Sequence, residues 1–486
     1  MKTKSSRLVI TLAVLTICPV FLLAKEKKGE ISLVTREASL GKIHSGTIPE
    51  SLIVSPSNKK VAYVARLGRK QIVVVDGMQG KEYAGIWDLA FAPKTEKLAF
   101  LAALAPDKFV IVMNGKEGSP QTAIGQQTLT ISPNGEHIAY MVWQGKKIIV
   151  IVDGVPGKEY DGMRKGSLQF TPDSKSVAFV AGIGGKQFIV IGNTEGKPYD
   201  AVWEPTFSPD AKRMAFVAVD ATDGKYFVVL DGKAGTKFDG IANSSVIFSP
   251  DGKRLAYVAK EAEQVFVVLD GQESKRFNDV PVQSLLFSPD GRRFAYVVEE
   301  AGKVFVILDG QESKRYPGVP PQVLSFSPDS RRFTYPVTTE YQSGPGERYG
   351  FKTIEMTPRK MLHVIDGKEE NEFESVGKAI FSPDSQRVAY IATHGVNKCV
   401  VINGVKEKEY DGIGIAPIFS PDSKRVAYVA KRSEKWFVVV DGVEGNQYDG
   451  FVKGSNLVFD GPNVLHGLAI RDNEIFRIEV EIVEKQ

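Results

Sequence analysis

From about residue 50 to the C-terminus, runs of three to seven apolar residues alternate with short polar breaks, and no helical period is sustained. Residues 246–277 show the whole pattern. Val246-Ile247-Phe248, Leu255 to Ala259, Val265 to Leu269 and a segment beginning Lys275-Arg276-Phe277 read as four strands, a to d. Val, Ile, Phe and Tyr dominate these runs while Gly, Pro and Asp bound them, which is strand composition. Strands b and c are apolar at consecutive positions, so burial on both faces is expected, as when twisted sheets pack against a neighbour on each side.

The unit recurs. Its turn proline falls at Pro56, Pro93, Pro133, Pro172, Pro209, Pro250, Pro289, Pro328, Pro383 and Pro421, with a degenerate eleventh copy at Asp460-Gly461-Pro462. Spacings are 37 to 41 residues except for 55 between Pro328 and Pro383, so the eighth unit carries an insertion, at about 336–360 between its strands b and c. Four short strands in each unit of about 39 residues, repeated, predict an all-β fold: a β-propeller of about 11 four-stranded blades. Because propellers usually have roughly four to eight blades, the array could form one large ring or two consecutive rings. The last unit offers three strands, and Ile31 to Leu40 is a strand without a partner. Residues 25–49 are therefore expected to complete the last blade and protect both edges, with 50–486 forming the array.

Turn chemistry accounts for the repeated polar residues. Pro250 fixes φ, Asp251 can hydrogen-bond the backbone two residues on, and Gly252 tolerates positive φ. Asp-Gly at 76, 153, 231, 270, 309, 366 and 441, with Asn-Gly at 114 and 403, is the pair favoured by two-residue hairpins. These aspartates recur in almost every unit, so they are read as turn formers and not as a ring of catalytic or metal sites.

The Ser-Pro-Asp-Gly-Lys-Arg-Leu-Ala-Tyr pattern at 249–257, with copies at 288–296 and 420–428, resembles the WD40-like (PD40) repeat of the TolB-type periplasmic propellers, over about residues 50–480. The resemblance implies the fold and leaves the function open, since such repeats occur in both hydrolase-associated and binding propellers. The chain departs from the TolB pattern in having about eleven units instead of six and no separate N-terminal domain.

Composition narrows the class. Apolar residues at 43% and charged residues at 25% exclude a disordered or polytopic membrane chain. Lys2, Lys4 and Arg7, then an uncharged run from Leu8 to Ala24, have the form of a secretory signal over residues 1–24, which predicts a periplasmic or secreted protein with no transmembrane span after its removal. Without those three bases, 59 basic residues stand against 58 acidic ones, which argues against nucleic acid as partner. Only Cys399 then remains, so no intrachain disulfide can form, and the residue is read as a small buried hydrophobe.

Catalytic and metal signatures are missing: there is no Gly-x-Ser-x-Gly elbow, the Gly-rich stretch 180–187 lacks phosphate-loop spacing, and the five histidines are scattered. No catalytic residue, metal ligand or cofactor is assigned. Functional residues are sought instead where units differ, because repeated residues hold the scaffold. An antiparallel meander places the nearly uniform a–b and c–d turns on one face and the variable b–c and d–a connections on the other. Two features fall on that variable face. Trp87-Asp88 and Trp203-Glu204 begin six residues before their turn prolines, and the insertion carries Tyr341, Arg348, Tyr349 and Phe351. They predict a non-enzymatic module binding an envelope protein or peptide, or a glycan, there. One alternative is a hydrolase or lyase acting on a saccharide or lactone, with Asp88 and Glu204 as acid and base. A structural envelope scaffold is the other.

Overall fold

A computed structural model describes residues 30–485 apart from 349 and 350, with only the backbone course for 343–348 and 351–356. The signal segment 1–24 and Tyr349 thus lie outside the described residues. Eleven antiparallel sheets follow one another along the chain, each running from an inner strand a to an outer strand d, and form an 11-bladed β-propeller.

Blade 6 represents the unit. Strand b (Leu255–Glu261) pairs with strand c (Gln264–Leu269) along its whole length, and Gln272–Glu273 begins strand d. Strand a is split into Gly240–Ile241 and Ile247–Phe248, both paired with strand b. Between Ile241↔Ala259 and Ile247↔Ala256, residues 242–246 oppose only Tyr257 and Val258, so they bulge out of the ladder. A hydroxyl holds this bulge. In blade 7, Ser284 Oγ donates to Pro281 O at 2.6 Å and accepts the Val297 N–H at 3.0 Å. Ser51, Thr128, Ser167 and Ser245 make the same pair of bonds in blades 1, 3, 4 and 6.

The core lies between blades. Val217 and Val228 of blade 5 pack with Tyr257 and Phe266 of blade 6, and equivalent clusters fill the other seams. Burying one such side chain is worth roughly 1.5–3 kcal/mol, so stability is spread around the whole array. Cys399 is fully buried in the seam between blades 8 and 9, where burial pushes its thiol pKa up.

The array is one ring. Val452, Leu468 and Ile475 of blade 11 bury against Leu52, Val54 and Val61 of blade 1, and His466 Nε2 donates to Ser57 O at 2.8 Å. Two consecutive rings are thereby excluded. Ile31–Lys42 supplies strand d of blade 11, antiparallel to Glu474–Glu484 from Ile31↔Glu484 to Lys42↔Glu474. Glu37 on this strand accepts from the Arg471 guanidinium of its own blade and from the Tyr448 hydroxyl of blade 10, each at 2.6 Å.

On the repetitive face the aspartates build the scaffold. Asp270 and Gly271 both have positive φ, 52° and 80°, the conformation of a type I′ hairpin. Asp270 Oδ1 accepts the Leu255 N–H at 2.9 Å and Oδ2 accepts from Arg254 at 2.8 Å, while Arg254 also donates to Arg292 O of blade 7 at 2.8 Å. Asp231, Asp309 and Asp366 repeat the arrangement with Arg213, Arg293 and Arg332. Each turn is thus tied both to its own blade and to the next.

Candidate functional site

The variable face is built from the inner-strand bulges, the b–c turns and one protrusion. In blade 8, strands b (Phe333–Arg348) and c (Phe351–Ile365) continue as a two-stranded hairpin, paired out to Arg348↔Phe351. The insertion is therefore β structure where a Gly- and Pro-containing loop was expected. Each strand there has a single partner, so Pro345 and Pro358 can sit in it without removing a second ladder bond. At its base the Tyr341 ring leans over Gly318, leaving no room for a Cβ. Arg348 and Phe351 occupy the last paired positions before the tip.

Trp87 stands at the blade 2 bulge and remains 42% exposed, its ring laid across Gly85, where an added Cβ would fall 2.3 Å from Cη2. Asp88 follows with a φ of 53°, and its Oδ2 accepts the Gln127 N–H of blade 3 at 2.9 Å. Trp203 has a different setting. It is half-buried at the blade 5 bulge, 5.6 Å from the Tyr226 ring, with the Arg164 guanidinium of blade 4 at 4.9 Å from its ring centre. The same Arg164 pairs with Glu204 at 3.1 Å. Trp203 also walls a cleft of about 550 Å³ that spans blades 5 to 7, with Tyr226, Asn243, Lys260 and Val282.

Asp88 and Glu204 occupy the bulge position that carries Ser51, Thr128, Ser167, Ser245 and Ser284 in other blades. In place of the hydroxyl clip, each carboxylate reaches an adjacent blade. Blades 3 and 4 stand between them, and each carboxylate is bonded to a different neighbouring blade.

The sequence-selected features fall on blades 2, 5 and 8, with two blades between each successive pair along the chain. They share a face without converging on a pocket. Arg164, Tyr226 and Trp143 were not selected from the sequence. Trp143, 45% exposed at the end of strand b in blade 3, sits where blades 6 and 7 carry Lys260 and Glu299, and comparison of that position across units reveals it.

The acids of the Tyr/Phe-Asp motif at Asp161, Asp200, Asp239 and Asp449 are structural ties on this face. Asp239 binds Lys225 of its own blade and the Ala262 N–H of the next b–c turn, bonds that hold its carboxyl below the usual carboxylate range. On the repetitive face, clefts recur between successive blades, for example one of about 700 Å³ walled by Arg254, Glu273 and Tyr296. A near-copy lies in the next seam. They follow the repeat and mark no single site. Among the described residues there is no cluster of His, Cys, Asp and Glu able to hold a metal, and no helix is long and apolar enough to cross a membrane.

No family model matches this chain, and no curated protein matches it. Loose likenesses exist among solved structures. A crystal structure of a eukaryotic initiation factor is 15% identical, with 73% of this chain and 96% of that one covered and a TM-score of 0.40. The β-propeller domain of the Trilobed protease from Pyrococcus furiosus is 17% identical, covering 58% and 94%, with a TM-score of 0.26. The Cps50 (Swd1) β-propeller domain of Myceliophteria thermophila is 12% identical, covering 56% and 99%, with a TM-score of 0.25. Likenesses this distant carry no argument about function.

Proposed function

We propose that this chain is an exported, non-enzymatic binding propeller, with the repeat of the TolB-type propellers, that engages an extended protein or peptide across its variable face. The observation that carries this reading is the exposed Trp87 on the same face as the projecting blade 8 hairpin, with no common pocket between them. Features spread over many blades suit a macromolecule that spans the face. Aromatic anchors in such a setting supply much of the binding energy of protein interfaces. The hydrolase reading is disfavoured because Asp88 and Glu204 are each engaged with a neighbouring blade and stand on blades 2 and 5, with two blades between them. Export rests on the basic, then apolar, stretch that ends at Ala24.

Photo-cross-linking in the native envelope tests the reading. A benzophenone amino acid placed at Trp87 or Gln342 on the variable face should give a partner adduct, and the same group at Lys253 on the repetitive face should not. Adducts confined to Lys253 would overturn it.

A further inference from the structure

The variable face is not uniform around the ring. Its large exposed apolar side chains among the described residues are Leu67 at 41%, Trp87 at 42%, Trp143 at 45% and Ile183 at 45%, one on each of blades 1 to 4, with Val396 of blade 9 apart from them. Leu67 and Ile183 occupy the strand-b end where blades 6, 7 and 10 present Glu261, Glu300 and Arg432, and Trp143 replaces Lys260, Glu299 and Lys431. Apolar groups on this arc therefore stand where other blades are charged.

Charge divides along the same line. On blades 1 to 4 the face-forming segments 43–50, 65–70, 82–88, 105–108, 121–128, 143–147, 159–166 and 182–186 hold nine basic and six acidic residues. On blades 5 to 7 the corresponding segments 198–205, 219–225, 237–244, 260–264, 276–283 and 299–303 hold five basic and ten acidic residues. Pairing sharpens the contrast. Lys225, Lys237, Lys260 and Arg276 each bind an acid. On the first arc Arg66, Arg69, Lys108, Lys146 and Lys165 are exposed and form no ion pair among the described residues.

We infer that the arc of blades 1 to 4 is a docking surface for an acidic, extended peptide segment whose carboxylates meet these unpaired bases and whose apolar side chains lie on Trp87 and Trp143. The inference rests on the binding role proposed above and names the partner's chemistry. Charge complementarity selects an acidic segment, since the face-forming segments of the arc carry nine bases against six acids, whereas those of blades 5 to 7 carry five against ten. The aliphatic Leu67 and Ile183 select a peptide over a glycan, because they offer apolar contact and no hydrogen bond to a sugar hydroxyl. A nucleic acid would require a face free of the intervening Asp88 and Asp107 and of the acidic arc beside it.

Three fluorescein-labelled 12-residue probes test this on the full chain by anisotropy: (Glu-Glu-Leu)4, (Ser-Ser-Leu)4 and (Lys-Lys-Leu)4. The acidic probe should bind most tightly and lose affinity as salt rises. It should weaken about tenfold or more in W87A/W143A and in R66E/R69E/K146E, but not in K260E on blade 6. The charge-reversed triple variant should in turn gain affinity for the Lys probe, which shows that its surface is still folded and competent. Preference for the Ser or Lys probe, or equal binding by wild type and both arc variants, overturns the inference while leaving the face reading in place. Absence of binding by every probe, together with no cross-link from Trp87 or Gln342, overturns both. Tighter binding of an acidic oligosaccharide than of the Glu probe also overturns it, in favour of a glycan.

Discussion

His363 should make the blade 8–9 seam acid-sensitive. It lies fully buried on strand c of blade 8, where blades 6 and 7 have Val267 and Val306, with Thr334 on the diagonal position of strand b where they have Ala256 and Ala295. Nε2 donates to Gly377 O of blade 9 at 2.8 Å, Nδ1 accepts from the Thr334 hydroxyl at 3.3 Å, and the ring lies 4.3 Å from that of Tyr390. The neutral ring is thus satisfied and no carboxylate faces it. Burial, offset in part by the Gly377 bond, pushes its pKa down from 6.5 to about 4. The unfolded chain therefore takes up a proton that the folded chain refuses. Stability from this group is complete above pH 6.5, falls as pH drops below that value and stops falling near pH 4. At about 1.4 kcal/mol per pH unit, the loss is about 2 kcal/mol at pH 5 and approaches about 3 kcal/mol below pH 4. The H363V/T334A variant restores the pair used in blades 6 and 7 and removes the titrating group. Urea unfolding followed by tryptophan fluorescence at pH 8 and pH 5 should show the wild type losing about 2 kcal/mol more than the variant. Equal losses in the two proteins would refute the reasoning, because every other titrating group is common to both.

Other substitutions separate scaffold from surface. Deleting residues 30–42 strips the outer strand from blade 11 and should lower the thermal midpoint of the whole ring, and an unchanged midpoint would disprove closure by that strand. Trp203→Ala should cost about 2 kcal/mol of stability through lost packing against Tyr226 and Arg164, whereas Trp87→Ala should stay within about 0.5 kcal/mol, as read by urea midpoints. Asp270→Ala leaves the Leu255 N–H and Arg254 without their acceptor and should cost about 1–3 kcal/mol without changing partner cross-linking from Trp87. A change in cross-linking there would contradict the separation of the two faces.

The ring architecture was legible because Pro250 and its copies mark the a–b turns, and Asp270-Gly271 and its Asp-Gly or Asn-Gly copies mark nine of the outer hairpins. Blade number could be counted; one ring could not be told from two. A spacing pattern holds no information on whether Leu468 meets Val61, which is a contact between the two ends of the chain. The bulges were hidden for a related reason. Residues 242–246 differ from blade to blade and lack a repeated signature except for the hydroxyl at Ser245, which resembles any loop serine in sequence. Reading Asp88 and Glu204 as an acid–base pair followed from their similar register, but register equates blades and says nothing of the distance between them. The strand character of the insertion was missed, since Gly344, Pro345 and Gly346 argue against a strand when no partner is known. Trp143 escaped because only the bulge position was compared, while its own position at the end of strand b carries Lys260, Glu299 and Lys431 in blades 6, 7 and 10.

The outer strand of blade 11 sets an order of events in the life of the chain. Arg36 and Glu479, bound across that sheet, are 443 residues apart in sequence. At synthesis rates of roughly 5–20 residues per second, the first strand waits roughly 20 to 90 s for its partner to exist. Any shorter chain is an open arc whose terminal blade ends in a free sheet edge, a template for pairing with other chains. Stalled or clipped products of this protein should therefore be sticky in a way that the finished ring is not, and the interval before closure is when a chaperone would have most to hold.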